Sequence, residues 1–199
     1  MEIKYGLISA DSHAAFHRDD FTSRMSASKW GERIPHVASK QEDGKRVDGW
    51  SIYGRPPHGS VCNCPAVMGD PFPTWPTLWE EVPRMAYDPN ERLKALDIDR
   101  VDAEVLFPNP PGGSYYEFGD VEFEFAVVQA YNDVLADTSR EFPNAYFFDT
   151  RPVMDAVDRD AMYLDYIHHS PLGNQVRAAA LFDFLLQRGL LSEKRSVGT

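Results

Sequence analysis

Cysteine is scarce in this chain. It has two among 199 residues, Cys62 and Cys64, in the run Val-Cys-Asn-Cys-Pro. A spacing of one residue makes a poor disulfide, and no second Cys/His pair stands at zinc-finger spacing, so the thiols are expected to be reduced and structural. Basic runs are scarce as well. Twenty Lys and Arg against 31 Asp and Glu leave a net charge of −11, which argues against a nucleic-acid partner, because phosphate contact needs a basic patch. No stretch approaches the roughly 18 to 20 apolar residues of a membrane span. The opening Met1-Glu2-Ile3-Lys4-Tyr5 lacks the apolar core of a signal peptide, so no membrane association and a cytoplasmic location are expected. Internal repeats and low-complexity segments are absent. With 43% hydrophobic residues and 13% aromatics, the chain has the means to bury a core, and disorder is a poor description of it.

Hydrophobic patterning outlines an α/β chain. Residues 3–10 read as a short buried strand that ends in Asp11-Ser12-His13. Residues 14–88 hold all four tryptophans and show no sustained period, so they read as a long aromatic-rich insertion of the lid-like kind. Asp88-Pro89-Asn90-Glu91 then has the marks of a helix start, with Asp88 as cap, Pro89 at the first helical position and Glu91 closing a capping box. The helix should run to about Asp99 with Leu93 and Leu96 on one face. Residues 102–107 read as a second strand, 121–141 as a helix with Val127, Tyr131 and Val134 in register, and Tyr146–Phe148 as a third strand. Ser170-Pro171 opens a last helix, patterned by Ala178, Leu181, Phe182, Leu185 and Leu186 and stopped at Gly189. This alternation predicts parallel βα units.

Two constellations carry chemistry. In a strand, residues i and i+2 share a face, so Asp11 and His13 can grip one divalent metal at the strand's carboxyl end, where (β/α) barrels gather their catalytic groups. In the second, Asp165-Tyr-Ile-His168, a carboxylate three residues before an imidazole can orient it to deprotonate a serine.

The residues around Asp11 and His13 resemble a known family. Ile8-Ser-Ala-Asp11-Ser-His13, Arg24 through Pro35, Cys64 through Phe72, Trp79 through Pro83, Tyr87 through Pro108 and Ala130-Tyr-Asn-Asp133 are together similar to the amidohydrolase-related metal-dependent hydrolases, in the branch of the aminocarboxymuconate-semialdehyde decarboxylase relatives. The resemblance covers about residues 3–137. It implies part of a TIM-like (β/α) barrel, a divalent metal (zinc before others) held by Asp11 and His13, and hydrolysis or decarboxylation of a small organic substrate. Ala14-Ala15-Phe16-His17 replaces the Val and Glu-Pro that many members carry there, and His17 is read as a loop residue rather than a replacement ligand. The family's other ligands lie on later barrel strands, beyond the match.

The ending resembles a different family. Phe147-Phe-Asp-Thr, Tyr163 through Asn174 and the following helix are similar to the last block of SGNH (GDSL-type) esterases, which implies Asp165 and His168 as the acid and base of a Ser-His-Asp triad. The nucleophile's Gly-Asp-Ser is missing: Gly69-Asp70 and Gly119-Asp120 are followed by Pro71 and Val121. The expectation is therefore two parts, 1–137 with its insertion at 14–88, and 138–199, meeting within the helix around Ala130–Ala136. The leading reading is a truncated or chimeric metal-dependent hydrolase. An ester hydrolase and a non-catalytic remnant are the alternatives. Three strands cannot close an eight-stranded barrel, so exposed sheet edges predict self-association.

Overall fold

A computed structural model describes residues 6–62, 75–109, 118–164 and 169–191, without the side chains of Pro108 and Arg159. The described residues fall into two compact units, within 5–142 and 143–199.

The first unit opens with β1 (Ile8–Ala14). One helical turn, α1 (Ala27–Trp30), precedes a hairpin of β2 (His36–Glu42) and β3 (Lys45–Ser51). Then come α2 (Pro89–Asp99), β4 (Ala103–Pro108) and the long α3 (Val121–Glu141). Strands β1 and β4 form a parallel pair, joined in sequence through α2, while β2 and β3 form a separate antiparallel pair. The first strand lies further along than expected, because Asp11-Ser12-His13 is inside it rather than beyond its end.

Described residues of the segment read as a lid-like insertion supply much of the first unit's core. Trp30, Trp50 and Trp79 are all buried, and Phe16, Phe21, Trp30 and Trp50 pack with Phe123, Val127 and Ala130 of α3. Phe123 is fully enclosed, edge-on to Trp30 and Tyr53 at ring separations of 5.5 and 5.0 Å. A second cluster gathers Val61, Cys62, Trp79, Val82 and Ala86. The hairpin inside this segment follows from Asp43-Gly44. Glu42 pairs with Lys45, so the turn has two residues, and both have positive φ (51° and 75°), the type I′ geometry that fits the twist of the strands.

The helix starts follow their caps. Asp88 accepts the N–H of Asn90 with Pro89 in the first turn, but Glu91 closes no capping box and instead pairs with Lys94. Leu93 and Ile98 are exposed and α2 buries no residue, so its apolar face is weaker than its spacing suggested. Asp120 caps α3 by accepting the N–H of Phe123, and its carboxylate also meets Arg33. Of the patterned positions on α3, Val127 is buried, and Tyr131 and Val134 pack at the cluster's margin.

The second unit is helical among its described residues: α4 (Arg151–Asp155), α5 (Arg159–Met162) and α6 (Pro171–Gln187). Tyr146–Phe148 is not a strand. Phe148 instead lays its ring on Phe184 of α6 at 5.1 Å, satisfying by side-chain packing an apolar run that period alone assigns to a sheet. Ser170 caps α6 through the N–H of Gly173 and donates its own hydroxyl to the carbonyl of Ala161. Gly189, at φ 66°, ends the last helix, with the Leu190 N–H returning to the Leu185 carbonyl. No helix among the described residues is long and apolar enough to cross a membrane.

Candidate functional site

The carboxyl ends of β1 and β4 lie together. Asn109, just beyond β4, donates its N–H to the carbonyl of Ala14 at 2.8 Å. In parallel α/β units this end of the strands is where ligands bind. Asp11 and His13 stand on the last turn of pleat before it, both exposed to solvent.

Their arrangement differs in one respect from simple alternation. Ser9 pairs with Glu104 and Ser12 with Leu106, so Ala10 and Asp11 together face Val105 across a β-bulge. The bulge returns Ser12 to the face of Ser9, and the two hydroxyls bond at 2.7 Å, a contact that a regular strand would forbid to residues three apart. His13 follows on the other face, opposite Phe107, with ring centroids 6.1 Å apart. The direction of Asp11 is thus set by the bulge and not by a period of two. Bulges of this kind re-aim side chains beside active sites.

The backbone at His13 is held from α2. Arg92 donates through Nε and Nη2 to the two carboxylate oxygens of Glu104 at 2.7 and 2.8 Å, and through Nη1 to the carbonyl of His13 at 2.9 Å. Both members of this ion pair are largely withdrawn from solvent.

His17 serves a packing role. Its ring meets Trp79 and Tyr87 at 5.5 and 5.2 Å, and its Nδ1 accepts the N–H of Asp19 at 3.3 Å. Its own backbone N–H is held by Asp20 at 2.7 Å. Burial raises the pKa of Asp20, outweighing the His17 N–H and the Arg24 charge that pull it down.

Asp11 and His13 supply a carboxylate oxygen and an imidazole nitrogen, donor types that suit zinc and its first-row neighbours. Their donor chemistry fits two ligands of such an ion. Among the described residues no group of three His, Cys, Asp or Glu side chains gathers around them.

The second constellation, Asp165 and His168, lies outside the described residues, as do Cys64 and Gly69-Asp70-Pro71. Its surroundings are partly in view. Asp149, expected at a strand end, instead binds the side chain and the backbone N–H of Arg151, and that guanidinium holds its carboxyl below the usual range. The neighbouring imidazole, His169, is one that the motif passed over. It packs on Tyr163 at 4.6 Å and lies 3.2 Å from a nitrogen of Arg177. Burial lowers its pKa, and the Arg177 charge lowers it further.

A cavity of about 440 Å³ opens elsewhere in the first unit, beside the hairpin, lined by residues that include Glu42, Asp48, Ser60, Trp75 and Thr77. It shares no residue with β1. Its carboxylates are already engaged, Glu42 with Lys40 and Asp48 with Arg46. No family model matches this chain, and no curated protein matches it in sequence.

Proposed function

We propose that the chain carries the metal-binding first strand of an amidohydrolase-like (β/α) barrel, with Asp11 and His13 as two ligands of a divalent ion, zinc before others. The observation that carries this reading is the D-x-H pair at the carboxyl end of β1, in a parallel pair joined through α2, with a bulge at Asp11. A divalent ion bound there would polarise a carbonyl and bring the pKa of its water to about 7, which suits hydrolysis or decarboxylation of a small organic substrate. Asp11 and His13 hold the ion, while solvent exposure of both leaves room for substrate beside it. Water or groups outside the described residues would complete its coordination.

Elemental analysis of purified protein against His13→Ala tests the reading. About one zinc, iron or manganese per chain, lost in the variant, supports it. Metal at background in the wild type overturns it and leaves the resemblance as ancestry. Hydrolysis of a simple ester that survives chelation would favour the alternative in which Asp165 and His168 act.

A further inference from the structure

We infer that Arg92 is a positioning residue for the metal-binding strand, resting on the reading above: it fixes the main chain of the ligand His13 from across the βα unit. Three observations lead there. First, the guanidinium is the polar link between three elements, since Arg92 lies on α2, Glu104 on β4 and His13 on β1. Second, its geometry is a filled fork, with two parallel bonds to one carboxylate and a third nitrogen on the His13 carbonyl. A planar guanidinium can bind both partners at once, whereas an ammonium is a point donor. Third, the carbonyl it grips lies two residues past the bulge, near the carboxyl end of β1, so the grip holds the stretch of strand that follows the shift in register.

Apolar packing offers little alternative anchorage, because α2 buries none of its residues. The pair is shielded, with Arg92 and Glu104 side chains 16% and 11% exposed, so its bonds are less weakened by water than those of a surface pair. Arg92 touches no metal donor atom. Its effect runs through the backbone of His13, and groups that orient metal ligands typically change affinity by about 10- to 100-fold when lost.

The test uses the full chain and zinc alone as probe. Zinc affinity is measured by competition with a chromophoric chelator for wild type, His13→Ala, Arg92→Met, Arg92→Lys and Glu104→Gln, with thermal unfolding of each metal-free protein alongside. Arg92→Lys keeps a positive charge next to Glu104 and is the variant chosen to stay folded. The expected result is a zinc affinity lowered about tenfold in Arg92→Lys, at an unfolding midpoint close to wild type. Glu104→Gln, which leaves the bond to the His13 carbonyl in place, should lose less. A role in stability alone would lower the unfolding midpoint and leave the affinity of the folded protein unchanged. Wild-type affinity in Arg92→Lys, with zinc binding still abolished by His13→Ala, overturns the positioning role and leaves the metal site standing. Absence of His13-dependent zinc binding in the wild type overturns both.

Discussion

The carboxylate of Asp48, in the middle of β3, accepts the backbone N–H of Trp79 at 3.0 Å, and so ties the hairpin to the turn that carries the fourth tryptophan. The Asp48 N–H returns the link to the carbonyl of Thr77 at 2.8 Å. Asp48 is 2% exposed and also receives the Ser39 hydroxyl and the Arg46 guanidinium, so a buried charge is satisfied on every side.

Removing that carboxylate should be costly. Asp48→Ala leaves the Trp79 N–H and the Ser39 hydroxyl without their acceptor, and we expect a loss of about 2 to 4 kcal/mol in urea unfolding at pH 7. Asp48→Asn keeps an acceptor and should lose less. The pH dependence follows from the same contacts. Burial pushes the carboxyl up, but the Ser39 hydroxyl, the Trp79 N–H and Arg46 together bring it below its ordinary value. A carboxyl lowered in the folded state stabilises above its unfolded pKa of about 3.9, and that stability is lost as the pH falls through the lower folded value. Wild type should therefore lose its advantage over Asp48→Asn on acidification below about pH 4. An advantage constant from pH 7 to pH 3 would contradict this.

Gly173 should tolerate no side chain. It is buried in the first turn of α6, and a Cβ built there would overlap the carbonyl oxygen of Met162, a backbone atom. Gly173→Ala must push α5 and α6 apart, at a cost we place at about 1 to 3 kcal/mol or more. Gly119→Ala offers a contrast, since the position is open in space and strained only by its φ of 69°. Limited proteolysis read by mass spectrometry should show cleavage within 143–199 rising in Gly173→Ala alone.

The parallel pair should drive self-association. Among the described residues β1 and β4 pair only with each other, and Leu7, Ile8, Leu106 and Phe107 are each 39% exposed or more. Unpaired edges with apolar residues beside them invite another chain. Sedimentation at increasing concentration should reveal dimers or larger species, and Ile8→Lys should reduce them. A monodisperse monomer at every concentration would count against this expectation.

What could be read from the sequence was what local chemistry decides. Asp88 and Ser170 cap the helices they precede, as read, and Asp120, not singled out in the sequence, does the same for α3, because a short side-chain acceptor at that position meets N–H groups the helix leaves unbonded. The span of α3 follows from its cap and its 3.6-residue stripe, and the parallel pairing of β1 with β4 from strand, helix, strand in order. The β2–β3 hairpin was missed, because the segment shows no long period, although Asp43-Gly44 is a local signal for its two-residue turn. Tertiary structure alone decided the rest. Whether aromatic residues cover a sheet or form a core depends on partners far along the chain, and Phe21, Trp30 and Trp50 found theirs in Phe123 and its neighbours on α3. The bulge at Ala10 and Asp11 arises from the register against β4, which no local pattern encodes. Arg92 shows the same limit: in sequence it is one charge on a helix, and only the fold brings Glu104 and the His13 carbonyl within reach of its fork.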